Sequence, residues 1–78
     1  MSYKHSWLKH VNRVVDIKKA GKTIYERALI KDVDIRNLTF FILTQEGKEI
    51  TLIKGHDMVI ESYPEETLFK VNGKVVAL

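Results

Sequence analysis

Apolar residues in this chain come in short runs, most alternating with polar residues at the period of two that marks a half-buried strand. Arg13–Lys18 (RVVDIK) is a β-branched run, and Lys19-Ala20-Gly21-Lys22 supplies a turn after it. Thr23–Lys31 (TIYERALIK) alternates next. Ile24, Ala28 and Ile30 fall on one face with Glu26, and Tyr25, Arg27, Leu29 and Lys31 on the other. The two runs predict an antiparallel hairpin. Asp32-Val33-Asp34 suits a bend better than a strand.

Leu38–Thr44 (LTFFILT) breaks the alternation. Leu38, Phe40 and Ile42 share one face while Phe41 and Leu43 share the other, so both sides of this strand need cover. Gln45-Glu46-Gly47-Lys48 reads as a turn into Glu49–Lys54 (EITLIK), where Ile50 and Leu52 share a face and Ile53 adds an apolar contact opposite. Met58–Ile60 is apolar at consecutive positions. Five short strands with this much two-sided apolar surface exceed what one small barrel hides inside it. The surplus predicts a subunit interface along the last strands, whose bare edges would otherwise invite aggregation.

The two ends of the chain read differently. In residues 3–11, Tyr3, Trp7 and Val11 recur at i, i+4 with Leu8 beside them, predicting a short amphipathic helix over an open barrel end, with Ser2 or Ser6 as its cap. Trp7 reads as a core plug there, with base stacking as the competing role. Pro64 ends the barrel pattern. Residues 67–78 then carry a hairpin signal, because Asn72-Gly73 supplies the two positive-φ positions of a type I′ turn between apolar-rich arms. This hairpin is expected to pack on the barrel or on a neighbouring subunit.

Size sharpens the argument for association. A chain of 78 residues makes one domain, and a domain this small buries only about 60% of its unfolded surface. Disulfides, metals and association are the usual supplements. With no cysteine, disulfides and thiolate zinc sites are excluded. No apolar run approaches a membrane span and the N-terminus lacks a signal-peptide core, so a cytoplasmic protein is the expectation. The net charge of +3 is mild, but residues 1–39 hold nine Lys/Arg against four Asp/Glu and residues 40–78 hold four against six. A basic first half can place positive potential on one face; it also reads as solvated lysines.

Two stretches resemble the motifs of the Sm, LSm and Hfq group. Ala28-Leu29-Ile30 followed by Asp34-Ile35-Arg36-Asn37-Leu38 looks like the family's bent strand, Asp, Asn and apolar strand. Ile53-Lys54-Gly55 followed by His56-Asp57-Met58-Val59-Ile60 is similar to its second motif. The likeness covers about residues 6–62. It departs from the family at Ala28, near where a glycine bends the second strand, in the shorter Asp34–Asn37 spacing, and at Arg36. The implied fold is mainly β: a small five-stranded SH3-like or Sm-like barrel (12–63) with a short N-terminal helix (3–11) and an extra C-terminal hairpin (67–78).

The resemblance implies a homo-oligomeric ring closed by pairing Glu49–Lys54 of one copy with Met58–Ser62 of the next. Both motif turns would line its pore and bind single-stranded U- or A/U-rich RNA. Asn37 would meet a base edge with its donors and acceptor, Arg36 would stack, and Lys54 would contact base and phosphate. Asp34 would orient the turn, Gly55 would allow close backbone approach, and His56 is a further contact. Each has a plainer reading: Asn37 as the end of a bend, Asp34 as a turn acid, Arg36 and Lys54 as surface charges. His56-Asp57 makes a poor acid–base dyad, since strand neighbours point to opposite faces. His5 and His10 lack the partners of a metal site, and no cofactor fingerprint or nucleophile elbow is present. A non-enzymatic protein follows. The alternative is a structural or adaptor barrel, of phage- or plasmid-borne type, that self-assembles without RNA; a third is a monomeric ribosome-associated SH3-like module.

Overall fold

The computed structural model describes residues 3–78, with side chains described from Trp7 onward. Ser2, and the side chains of Tyr3, Lys4, His5 and Ser6, lie outside the described residues. A 3₁₀ helix over Tyr3–His10 leads into seven strands: β1 (Val14–Lys19), β2 (Lys22–Asp34), β3 (Thr39–Leu43), β4 (Glu49–Ile53), β5 (Met58–Ser62), β6 (Leu68–Val71) and β7 (Lys74–Ala77). The fold is mainly β. Strands β1–β5 form one antiparallel sheet in the order β4-β3-β2-β1-β5, and β6 with β7 forms a separate two-stranded sheet. The helix is one residue shorter than the sequence pattern suggests and its backbone is 3₁₀ throughout, so positions three apart line up instead of the 3.6-residue period of the predicted helix.

The long strand β2 departs most from expectation. It runs straight through Asp32-Val33-Asp34, where a bend was expected, because all three extend the ladder with Phe41, Phe40 and Thr39 of β3. The bending happens elsewhere. The β1–β2 register slips between Val15↔Ala28 and Ile17↔Tyr25 and again before Lys18↔Thr23, and the β2–β3 register slips between Ile30 and Asp32. Arg27 sits at the first slip with φ of 49°. Such a bulge inserts an extra residue, bends the strand and flips the face of everything beyond it. Tyr25, rather than the expected Ile24, therefore joins Ala28 and Ile30 against the core, and Ile24 is exposed.

Two apolar clusters result. The larger holds Val15, Ile17, Ala28, Ile30, Val33, Phe40, Ile42 and Met58. Ile50 and Leu52 from β4, Ile60 from β5 and Trp7 from the helix pack against it. Side chains from both edge strands thus meet in one cluster, so the sheet curls around its inner face. On the opposite face Val14, Leu29 and Phe69 form a second cluster with Leu43, Tyr63 and Val71. The β6–β7 hairpin therefore covers part of the outer face of its own chain. Its turn residues Asn72 and Gly73 both have positive φ, 51° and 80°, the geometry that a two-residue hairpin loop requires.

Candidate functional site

The four-residue turn between β2 and β3, Ile35–Leu38, is organised by Asp34. One carboxylate oxygen accepts the Arg36 backbone N–H at 3.0 Å, and the other accepts the Asn37 side-chain N–H at 3.1 Å. This Asx-type arrangement replaces a backbone turn hydrogen bond with a side-chain one. Both bonds favour the ionised carboxylate, so the Asn37 amide first and the Arg36 N–H second hold the Asp34 pKa below its ordinary value. Leu38 closes the turn with φ of 46°, a conformation that costs energy for a residue with a Cβ.

Lys54 joins the second turn to the first. Its backbone N–H donates to the Leu38 carbonyl at 2.9 Å, extending the β3–β4 ladder past Ile53. The Lys54 side chain is half-buried; its Nζ donates to the Gly55 carbonyl at 3.2 Å and stands 5.3 Å from the centroid of the Trp7 ring. A cation held over an indole face is attracted by the ring quadrupole. Trp7 in turn meets Phe40 edge-on at 5.6 Å and His10 at 5.4 Å. Burial, then the charges of Lys9 and Arg13, lower the His10 pKa and favour the neutral ring.

Gly55 is spatially constrained, since a Cβ there would come within 3.2 Å of Asp57 Oδ1. His56 and Asp57 form the turn before β5, not part of a strand as the sequence reading assumed, and both are exposed. The Asp57 carbonyl accepts the Ala20 N–H at 2.9 Å, tying this turn to the β1–β2 turn.

Of the six residues singled out from sequence, Asp34, Arg36, Asn37 and Lys54 belong to two turns bonded to each other. Gly55 adjoins Lys54, and His56 lies one residue further out on the exposed turn. Sequence reasoning missed the Trp7–Lys54 pair, because which side chain of a short helix faces which turn depends on the 3₁₀ geometry. It also missed a polar cluster at the base of the hairpin. There Asp16 accepts the Arg27 backbone N–H at 2.9 Å and the Tyr63 hydroxyl at 2.7 Å. The Arg27 guanidinium lies 4.4 Å from the Tyr63 ring centroid and pairs with Glu66 at 2.9 Å. Among the described residues no group of three or more metal-ligating side chains occurs, and no helix is long and apolar enough to cross a membrane. Comparison with protein-family models, curated proteins and solved structures returns no match.

Proposed function

We propose that this chain is a homo-oligomeric, Sm/Hfq-like ring protein that binds single-stranded U- or A/U-rich RNA, its curled sheet acting as a small Sm-like barrel. The carrying observation is the junction of the two motif turns through Lys54 N–H and the Leu38 carbonyl, with the Asn37 amide oriented by Asp34. With one amide N–H committed to Asp34, the exposed Asn37 keeps a second N–H and its carbonyl oxygen, the donor–acceptor pair that a base edge needs. Arg36 offers a planar surface for stacking, Lys54 a cation for base and phosphate, and His56 a further contact at the rim.

Ring closure is supported by the edges. Strands β4 and β5 end the sheet and carry its most exposed apolar side chains, Ile53 at 72% and Val59 at 52%. Pairing β5 of one copy antiparallel to β4 of the next, with Ile60 opposite Leu52, sets Val59 opposite Ile53. The same register continues the inner row Ile17–Ile60 of one copy into Leu52–Phe40–Val33 of the next. Both edge strands of the five-stranded sheet are then paired, and the half-buried residues Ile60 and Leu52 are enclosed.

The test is fluorescence anisotropy with labelled oligo-U. Wild-type affinity should fall as salt rises, since phosphate contacts release counterions. Asn37→Ala with Lys54→Ala should weaken binding by at least about tenfold, the scale of one lost bidentate base contact. Unchanged affinity in that double variant rules the site out. The exposed apolar residues of the hairpin strands, Leu68, Val75 and Val76, favour a second reading, a self-assembling adaptor without RNA. A discrete ring that ignores oligo-U would select it.

A further inference from the structure

The C-terminal hairpin spans its own subunit from one sheet edge towards the other. At its base the Tyr63 N–H donates to the Val14 carbonyl at 2.8 Å, immediately after edge strand β5. At its tip the Asn72 N–H donates to the Gln45 carbonyl at 2.7 Å. The Asn72 side chain also lies so close to Gly47 that a Cβ on that glycine would come within 3.1 Å of its amide nitrogen. Gln45 and Gly47 belong to the turn that opens into the other edge strand, β4. Both ends of the hairpin therefore stand beside an edge that the ring reading pairs with another copy.

The register proposed above fixes which ends meet. With Ile60 opposite Leu52, Pro64 falls opposite Lys48 of the next copy, so the base of one hairpin faces the tip of the next. The surfaces differ in charge. The base is an open groove of about 560 Å³ formed by Tyr63–Leu68, where Glu66 is engaged by Arg27 and Glu65 is exposed. The tip presents exposed Lys48 and Lys74 around Asn72-Gly73, against the single exposed acid Glu46 of the same turn.

Resting on the ring reading, we infer that the hairpin tip of each copy seats in the Tyr63–Leu68 groove of its neighbour, Lys48 and Lys74 against Glu65. The hairpins then link tip to base in a second belt around the ring. Opposite charges at such a contact add attraction between tip and groove and steer the two surfaces together.

The absence of cysteine makes a clean test possible. In the double variant Glu65→Cys/Lys74→Cys, strand β6 lies between the two thiols of one chain. Its four residues at about 3.3 Å each exceed the roughly 7 Å limit for a bridgeable Cα pair. Mild oxidation with diamide should give a ladder of covalent multimers on a denaturing gel, collapsed by reductant. Native mass spectrometry of the same samples separates the two claims. A discrete ring without a ladder overturns the belt and leaves the ring standing; a monomer overturns both.

Discussion

Two regions of the sheet's outer face have met opposite fates. At one end Val14 and Leu29 point outward and are buried, because Phe69 of the C-terminal hairpin lies on them. At the edges Ile53 and Val59 also point outward, yet remain exposed. Residue type does not distinguish these positions; all four are aliphatic. The difference is reach: the hairpin follows β5, docks across β1, β2 and β3, and ends at the β3–β4 turn. A strand that is apolar on both faces therefore says that something must cover it, but not whether the cover is the same chain or another copy.

The largest expected effect removes the cover. Phe69 is 3% exposed and is the hairpin's main anchor. Phe69→Ala should cost about 3–5 kcal/mol through lost burial and the cavity left behind. Urea unfolding should shift to a lower midpoint, and amide exchange in β6 and β7 should accelerate first. A variant that melts like the wild type would mean that the hairpin is not what protects Val14 and Leu29.

The next test acts on the uncovered side. Ile53→Lys with Val59→Lys changes two exposed positions, where single-chain stability should move by only about 0.5 kcal/mol each. Self-association should be lost, because like charges would face each other across the proposed strand pair. Sedimentation would show a folded monomer in place of an oligomer. If the variant assembles as the wild type does, these edges are not the interface and the contrast between the two regions has another cause.

The sequence made the strands readable and hid their phase. The β-branched runs, and the glycines at 21, 47 and 73, which all have positive φ, mark the strands and their turns. The two-sided apolar character of Leu38–Thr44 predicted cover on both faces; the hairpin covers Leu43 on the outer face, while Phe41 on the same face stays exposed. The bulge at Arg27 was not readable, since no glycine or asparagine marks it and an arginine at φ 49° runs against local preference. What holds it is tertiary: Asp16 takes its N–H, and Gln45 donates to the carbonyls of Glu26 and Arg27 at 3.3 Å each. At the candidate site the reading went further. The bond between Asp34 and Asn37 needed only a side chain three residues from a carboxylate, which is local information. The placement of Trp7 beside Lys54 needed the whole fold.

The smallest expected effect probes how the covered end is fastened. Tyr63 donates its hydroxyl to Asp16, and the same carboxylate pins the Arg27 bulge. A tyrosinate could not donate this bond and would face a carboxylate, so the hydrogen bond to Asp16 raises the Tyr63 pKa above its ordinary value, with burial adding to it. The contribution to stability is thus complete below about pH 10, the unfolded-chain value, and is lost as pH rises through the higher folded value. Tyr63→Phe keeps the ring under the Arg27 guanidinium and removes only the hydroxyl. The melting temperature should drop at neutral pH by less than in Phe69→Ala, and the gap between variant and wild type should close in strong alkali. The self-association proposed for β4 and β5 should be unchanged. A gap that persists at high pH would show that the hydroxyl acts through packing and not through its proton. The fastening of the hairpin would then rest on Phe69 and on the Arg27–Glu66 pair.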